Sequence, residues 1–144
     1  SILGKLTKLW IPPTFTFPGM FGTYTQITEI MNPSRMIADT VIEVYSNLEF
    51  IKITNETTGK FILVEQAISD NQKMVIDSKD YSVSLYEKDS SGVYQFIRDV
   101  SEWISTDSEP IRLIPGVNVL KVENEVQDDV PTARLLWRLP IMGV

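Results

Sequence analysis

The chain has 144 residues, 43% hydrophobic and 22% charged, with a net charge of −6, no Cys and no His. That length suits one domain with its own core, and the composition excludes disulfides, thiol chemistry and any Ser-His or Cys-His catalytic pair. The acidic balance lacks the positive field that nucleic acids and anionic membranes require, and no apolar run approaches the roughly 20 residues that span a bilayer. Protein or carbohydrate is the better match for a partner.

The chain begins with Ser, and residues 1–18 read as a lead-in from an upstream domain, with Pro12 and Pro13 interrupting regular structure. Whether part of it pairs with a sheet is open at this level; residues 14–18 have the pattern of a short edge strand. Residues 19–144 read as one β domain. Residues 24–31 alternate and meet the turn Asn32-Pro33-Ser34. Residues 38–45 predict a strand with Ile42 and Val44 on one face. Residues 51–64 read as strand, tight polar turn and strand, with residues 55–59 supplying the turn.

Further along, Met74 and Ile76 are the inward candidates of the next strand. Tyr81, Val83 and Leu85 share one face, opposite Ser82, Ser84 and Tyr86. The loop 89–92 then returns the chain through residues 93–97. Val100, Trp103 and Ile104 have the spacing of a single helical turn or short 3₁₀ segment. Residues 111–114 are short and apolar, and Asn118, Leu120 and Val122 alternate with Val119, Lys121 and Glu123. Residues 123–129 read as an acidic tip. Ala133, Leu135, Trp137 and Leu139 close the chain, with Arg134, Leu136 and Arg138 on the other face. Nine or ten short strands without a long helical period predict an all-β fold, an antiparallel two-sheet sandwich with at most one short helix.

No phosphate loop, nucleophile elbow or helix-borne metal motif is present. Glu123, Glu125, Asp128 and Asp129 suit a solvated loop better than a calcium site or a glycosidase pair. Thus no catalytic residue, cofactor or metal ligand is expected. Asn55-Glu56-Thr57 matches a glycosylation sequon, but Asn and Thr serve turns equally well, and the turn is the favoured reading. Trp103 and Trp137 fit core packing. The candidates for a partner or glycan contact are Trp10, Tyr86, Tyr94, Arg134 and Arg138; Trp10 suits an interface with an upstream domain, and the two arginines share a strand face.

Four stretches, in order and spacing, resemble the C-terminal domain of siphophage distal tail proteins. They are Ile53-Thr54-Asn55-Glu56-Thr57-Thr58-Gly59-Lys60-Phe61-Ile62, Lys73-Met74-Val75-Ile76-Asp77-Ser78, Leu113-Ile114-Pro115-Gly116-Val117-Asn118-Val119-Leu120-Lys121-Val122, and the closing run with Trp137-Arg138 and Met142-Gly143-Val144. The similarity covers about residues 15–144. It implies a galectin-like or jelly-roll-like sandwich on an absent N-terminal domain that forms a homo-hexameric ring in the tail tip. The sandwich would project outward in the virion and hold other baseplate proteins, including a receptor-binding protein, with no nucleic acid, membrane or cofactor involved. Galectins use a His that this chain lacks, so their sugar-binding residues do not carry over. Where distal tail proteins often have Asn-x-Gly-Asp followed by Pro before the hairpin, this chain has Asn32-Pro33-Ser34-Arg35. A glycan-binding module without catalysis is the rival reading.

Overall fold

A computed structural model describes residues 4–11, 22–45, 48–126 and 132–140. Among these residues, eleven strands run in chain order: β1 (Gly4–Ile11), β2 (Gly22–Asn32), β3 (Ala38–Tyr45), β4 (Leu48–Asn55), β5 (Lys60–Val64), β6 (Gln72–Asp77), β7 (Ser82–Lys88), β8 (Tyr94–Asp99), β9 (Arg112–Leu113), β10 (Gly116–Val126) and β11 (Thr132–Pro140). Their pairings are antiparallel throughout. The larger sheet has the order β1-β11-β3-β6-β7-β8, with β9 against β3; the smaller has β2-β10-β4-β5. The fold is an all-β sandwich, as the strand spacing predicts.

One apolar cluster joins the sheets. Ile42, Val44, Met74, Ile76, Val83 and Leu85 come from the larger sheet; Ile30, Ile51, Ile53, Ile62, Val64, Leu120 and Val122 come from the smaller. Period-two alternation puts them all inward, and each fully buried aliphatic chain contributes roughly 1.5–3 kcal/mol. Val100 is buried at the start of the 3₁₀ turn Ser101–Trp103, and Trp103 and Ile104 pack partly buried against the same cluster. The i, i+3, i+4 pattern therefore marks a real turn.

The free edge of β5 is covered by the segment after that turn. The Ser105 and Glu109 amides donate to the Leu63 and Phe61 carbonyls, and the buried Ser108 hydroxyl accepts the Leu63 amide. Covering an edge removes a template for unwanted strand pairing.

The structure moves several boundaries. Gly4–Ile11 of the lead-in forms β1 and pairs along its whole length with β11. Residues 14–18 lie outside the described residues. Glu123 and Glu125 belong to β10, not to a tip, because that strand stays paired with both β2 and β4 to Val126; Asp128 and Asp129 lie outside the described residues. Tyr81 precedes its strand and sits in the turn at φ +51°, yet still packs on the core.

The β4–β5 hairpin turn closes with Gly59 at φ +77°, in the left-handed region that disfavours any Cβ. A methyl group placed on its Cα would meet no neighbour within 4 Å, so space is open. Gly59→Ala is therefore expected to lower stability by about 1–2 kcal/mol through backbone strain alone. Chemical denaturation would check this, and Gly59→Asn should recover part of the loss.

Candidate functional site

Two features of the surface are built from several elements at once. The first is the outer face of the larger sheet. Tyr45, Lys73, Tyr86 and Phe96 stand side by side on β3, β6, β7 and β8, because each is the direct cross-strand partner of the next. Tyr94 enters one step along, opposite Lys88. A register shift between Leu85 and Tyr86 separates this pairing from that of the start of β7.

Lys73 is the centre of the group. Its ammonium lies 5.4 Å from the Tyr45 ring centre, 5.3 Å from Tyr86 and 4.8 Å from Tyr94. It also makes a 2.9 Å ion pair with Glu43, and the two side chains are only 15% and 11% exposed. The Tyr45 hydroxyl donates to the same carboxylate oxygen at 3.1 Å. A cation among three aromatic faces is held by the ring quadrupoles as well as by the carboxylate. Tyr45 and Tyr94 pack at 5.9 Å, and Tyr86 and Phe96 meet edge to face at 5.7 Å. Phe96 is 57% exposed, so the cluster presents an aromatic surface to solvent.

The hairpin carrying Tyr94 is tied down by Asp89. Its carboxylate accepts from the Val93 amide, the Gln95 side chain and the Ser91 amide. These bonds, the Val93 amide foremost, hold the Asp89 carboxyl below the ordinary carboxylate range. A depressed pKa means the bonds are intact above the ordinary range and are lost as pH falls through the lowered value. In an NMR titration, the Ser91 and Val93 amide shifts are expected to move at a more acid midpoint than an unstructured Asp would show.

Sequence reasoning selected Tyr86 and Tyr94, and the structure brings them together around Lys73. Backbone register sets Trp10 opposite Arg134, and Arg134 opposite Glu43. The strand positions of Trp10 and Arg134 thus share a rung next to the tyrosine row. Arg138 stands opposite Leu6, beyond the stretch of β11 paired with β3. The side chains of Trp10, Arg134 and Arg138 lie outside what is described. Tyr45, Lys73 and Phe96 were missed. Their signal was the outward phase of Lys73 and Tyr45 between apolar inward neighbours, which reads as ordinary solvated surface until the strands are placed side by side.

The second feature is at one end of the smaller sheet. Three asparagines are buried there, Asn32, Asn55 and Asn118. The Asn55 amide donates to the Arg112 carbonyl at 2.9 Å and to the Asn118 side-chain oxygen at 3.1 Å. Its own oxygen accepts from the Thr57 amide at 3.0 Å. Asn118 accepts from the Ile114 amide and donates to the Ile114 and Gly116 carbonyls. Asn32 donates to the Leu113 and Met36 carbonyls. Asn55 has no solvent exposure, so the sequon reading gives way to a structural one: its amide nitrogen is fully used in the fold.

Beside this network lies a hollow of about 250 Å³, lined by Ile37, Thr58, Lys60, Glu109, Pro110, Arg112 and Ile114. Lys60 pairs with Glu109 at 3.0 Å and Arg112 with Asp39 at 3.1 Å. Among the described residues no group of three or more acidic side chains is placed to hold a metal ion.

No curated protein and no solved structure matches the chain. The family of the siphovirus-type tail component, C-terminal domain, matches residues 34–134, which span β3 to β10 and so carry Asn55, Asn118 and the tyrosine row. That stretch is well over half of the chain, and with the all-β sandwich it shows that the chain belongs to the siphovirus-type tail component family through this C-terminal domain.

Proposed function

We propose that this chain is the outward sandwich domain of a distal tail protein and works by protein–protein contact in the tail tip. The family match over residues 34–134 carries the reading. Fold alone would not, since a sandwich hosts many functions. The chain enters through β1, which pairs with β11 at the edge of the larger sheet. That strand would be the joint to an upstream ring-forming domain, and the ring would be a homo-hexamer. Its partners would be other baseplate proteins, with a receptor-binding protein among them, and no catalysis is called for. Expression together with the upstream sequence is expected to give six-fold rings in electron micrographs. A full-length protein that stays monomeric would contradict the reading.

Glycan binding is the second reading, and one observation favours it. Tyr86, Tyr94 and the exposed Phe96 form an aromatic surface beside Lys88, whose ammonium is 5.4 Å from the Tyr94 ring. Sugar rings stack on such faces while charged neighbours bond their hydroxyls. A glycan array that shows no binding at millimolar ligand removes it.

A further inference from the structure

We infer that the open edge of β8 pairs with the same strand of a second copy of this chain, antiparallel and about a two-fold axis through Gln95. The inference goes beyond the tail reading, since six-fold rings would come from the upstream domain and this contact lies in the sandwich itself.

The sheet order ends at β8, and among the described residues no strand lies beyond it. Two bonds fix which way its main chain points. The Asp89 amide donates to the Val93 carbonyl at the hairpin end, and the Val100 amide donates to the Val83 carbonyl at the other. Hydrogen-bonded and non-hydrogen-bonded pairs alternate along an antiparallel ladder. Counted in from the hairpin, Lys88–Tyr94 and Tyr86–Phe96 are therefore non-hydrogen-bonded pairs. Counted from the other end the phase is the same, once Ile97 is taken as the extra residue where the register shifts between Leu85 and Tyr86. The N–H and C=O groups of Tyr94 and Phe96 thus point away from β7, and the edge offers two donors and two acceptors.

Extended main chain fits such an edge, and the side chains select a second copy. With Gln95 opposite its own copy, Tyr94 faces Phe96 and Val93 faces Ile97, each twice. All the outward groups then bond, in two hydrogen-bonded pairs. The side chains this covers are those the single chain leaves open: Val93 is 54% exposed, Phe96 57% and Ile97 49%. Aromatic and β-branched cross-strand pairs stabilise a sheet, and residues 93–97 carry no charge, so no like charges meet. Beyond Ile97 the strand is already engaged. Arg98 pairs with Glu102 at 2.7 Å and lies 5.6 Å from the Trp103 ring. An edge with apolar side chains on both faces and no proline invites pairing. Five residues a side are short of the roughly 1,200–2,000 Å² of a stable interface, so the dimer is weak and concentration-dependent.

Disulfide trapping tests the contact, because the chain has no Cys of its own. Gln95 meets its copy in a non-hydrogen-bonded pair, where Cα atoms lie about 4.5 Å apart, within disulfide reach. Under mild oxidation Gln95→Cys is expected to form a covalent dimer about 10-fold or more faster than Lys79→Cys, an exposed position in the turn after β6. NMR diffusion of the unaltered chain should slow toward that of a dimer as concentration rises to about 1 mM. Phe96→Lys combined with Ile97→Lys, both at exposed positions, should keep the folded spectrum and diffuse as a monomer throughout. Equal cross-linking rates, or an unaltered chain that stays monomeric over that range, would overturn the inference. So would a dimer whose amide shifts on dilution centre outside residues 93–97, or a monomeric chain that takes only a foreign extended peptide along β8. Six-fold rings are read separately by electron microscopy, so failure here and failure of the tail reading are distinguishable.

Discussion

Asn118→Ala is expected to destabilise the domain by about 3 kcal/mol, among the largest effects of any single polar-to-alanine change in this chain. Four groups lose a partner at once: the Ile114 amide and carbonyl, the Gly116 carbonyl and the Asn55 side-chain amide. Asn118 itself has no solvent exposure and its bond with Asn55 is buried, while the bonds to Ile114 and Gly116 are part-buried, so water replaces them only incompletely. Urea denaturation would read the change as a lowered midpoint at unchanged slope. Asn55→Ala should fall in the same range, because it frees the Arg112 carbonyl and the turn amides. The double variant should lose less than the sum of the two, since each partner has already lost the shared bond. A midpoint matching that of a change at exposed Val117 would refute the role assigned to the network.

Lys73→Met is expected to lower stability by about 3 kcal/mol, and the double change Glu43→Leu with Lys73→Met should recover part of it. The reason is an asymmetry of buried charge. Removing the ammonium from a pair exposed only 15% and 11% weakens the compensation of a desolvated carboxylate, which keeps the Tyr45 hydroxyl bond, whereas removing both charges also removes their desolvation cost. The single change also takes the cation from among the Tyr45, Tyr86 and Tyr94 rings. Thermal denaturation of the two variants decides between the accounts. If the double variant is no more stable than Lys73→Met, the desolvation of this pair does not govern the site.

These two positions also mark how far the sequence could be read. Period-two alternation was enough to set Ile42 with Val44, Val83 with Leu85 and Leu120 with Val122 on one face each and to mark Met74 and Ile76 as inward, and all eight are buried, because a strand with one wet face must alternate. It also put Asn118 in phase with Leu120 and Val122, an odd place for an amide. Asn55 and Gly59 announced the hairpin turn through their local chemistry. The Val100, Trp103 and Ile104 spacing announced the 3₁₀ turn. The ordered motifs pointed to the tail component family, and the family match covers three of the four quoted stretches in full.

What alternation cannot carry is adjacency between strands far apart in the chain. Gly4–Ile11 gave no sign of its partner, because β1 and β11 stand far apart in the sequence and meet only through the sheet order. Tyr45, Lys73 and Tyr86 each look like a polar residue on a wet face. Their meeting depends on the order β3-β6-β7 and on the register within it, both set when the apolar faces close on each other. The buried asparagines follow the same rule. Asn55 is a turn residue by its own sequence, and it becomes a hub because the ends of β4, β9 and β10 converge on it. The sequence by itself determined most of the strands, the faces they bury, the hairpin and the family. The tertiary structure alone decided which surface residues act together, because non-local pairing places them and no local period encodes it.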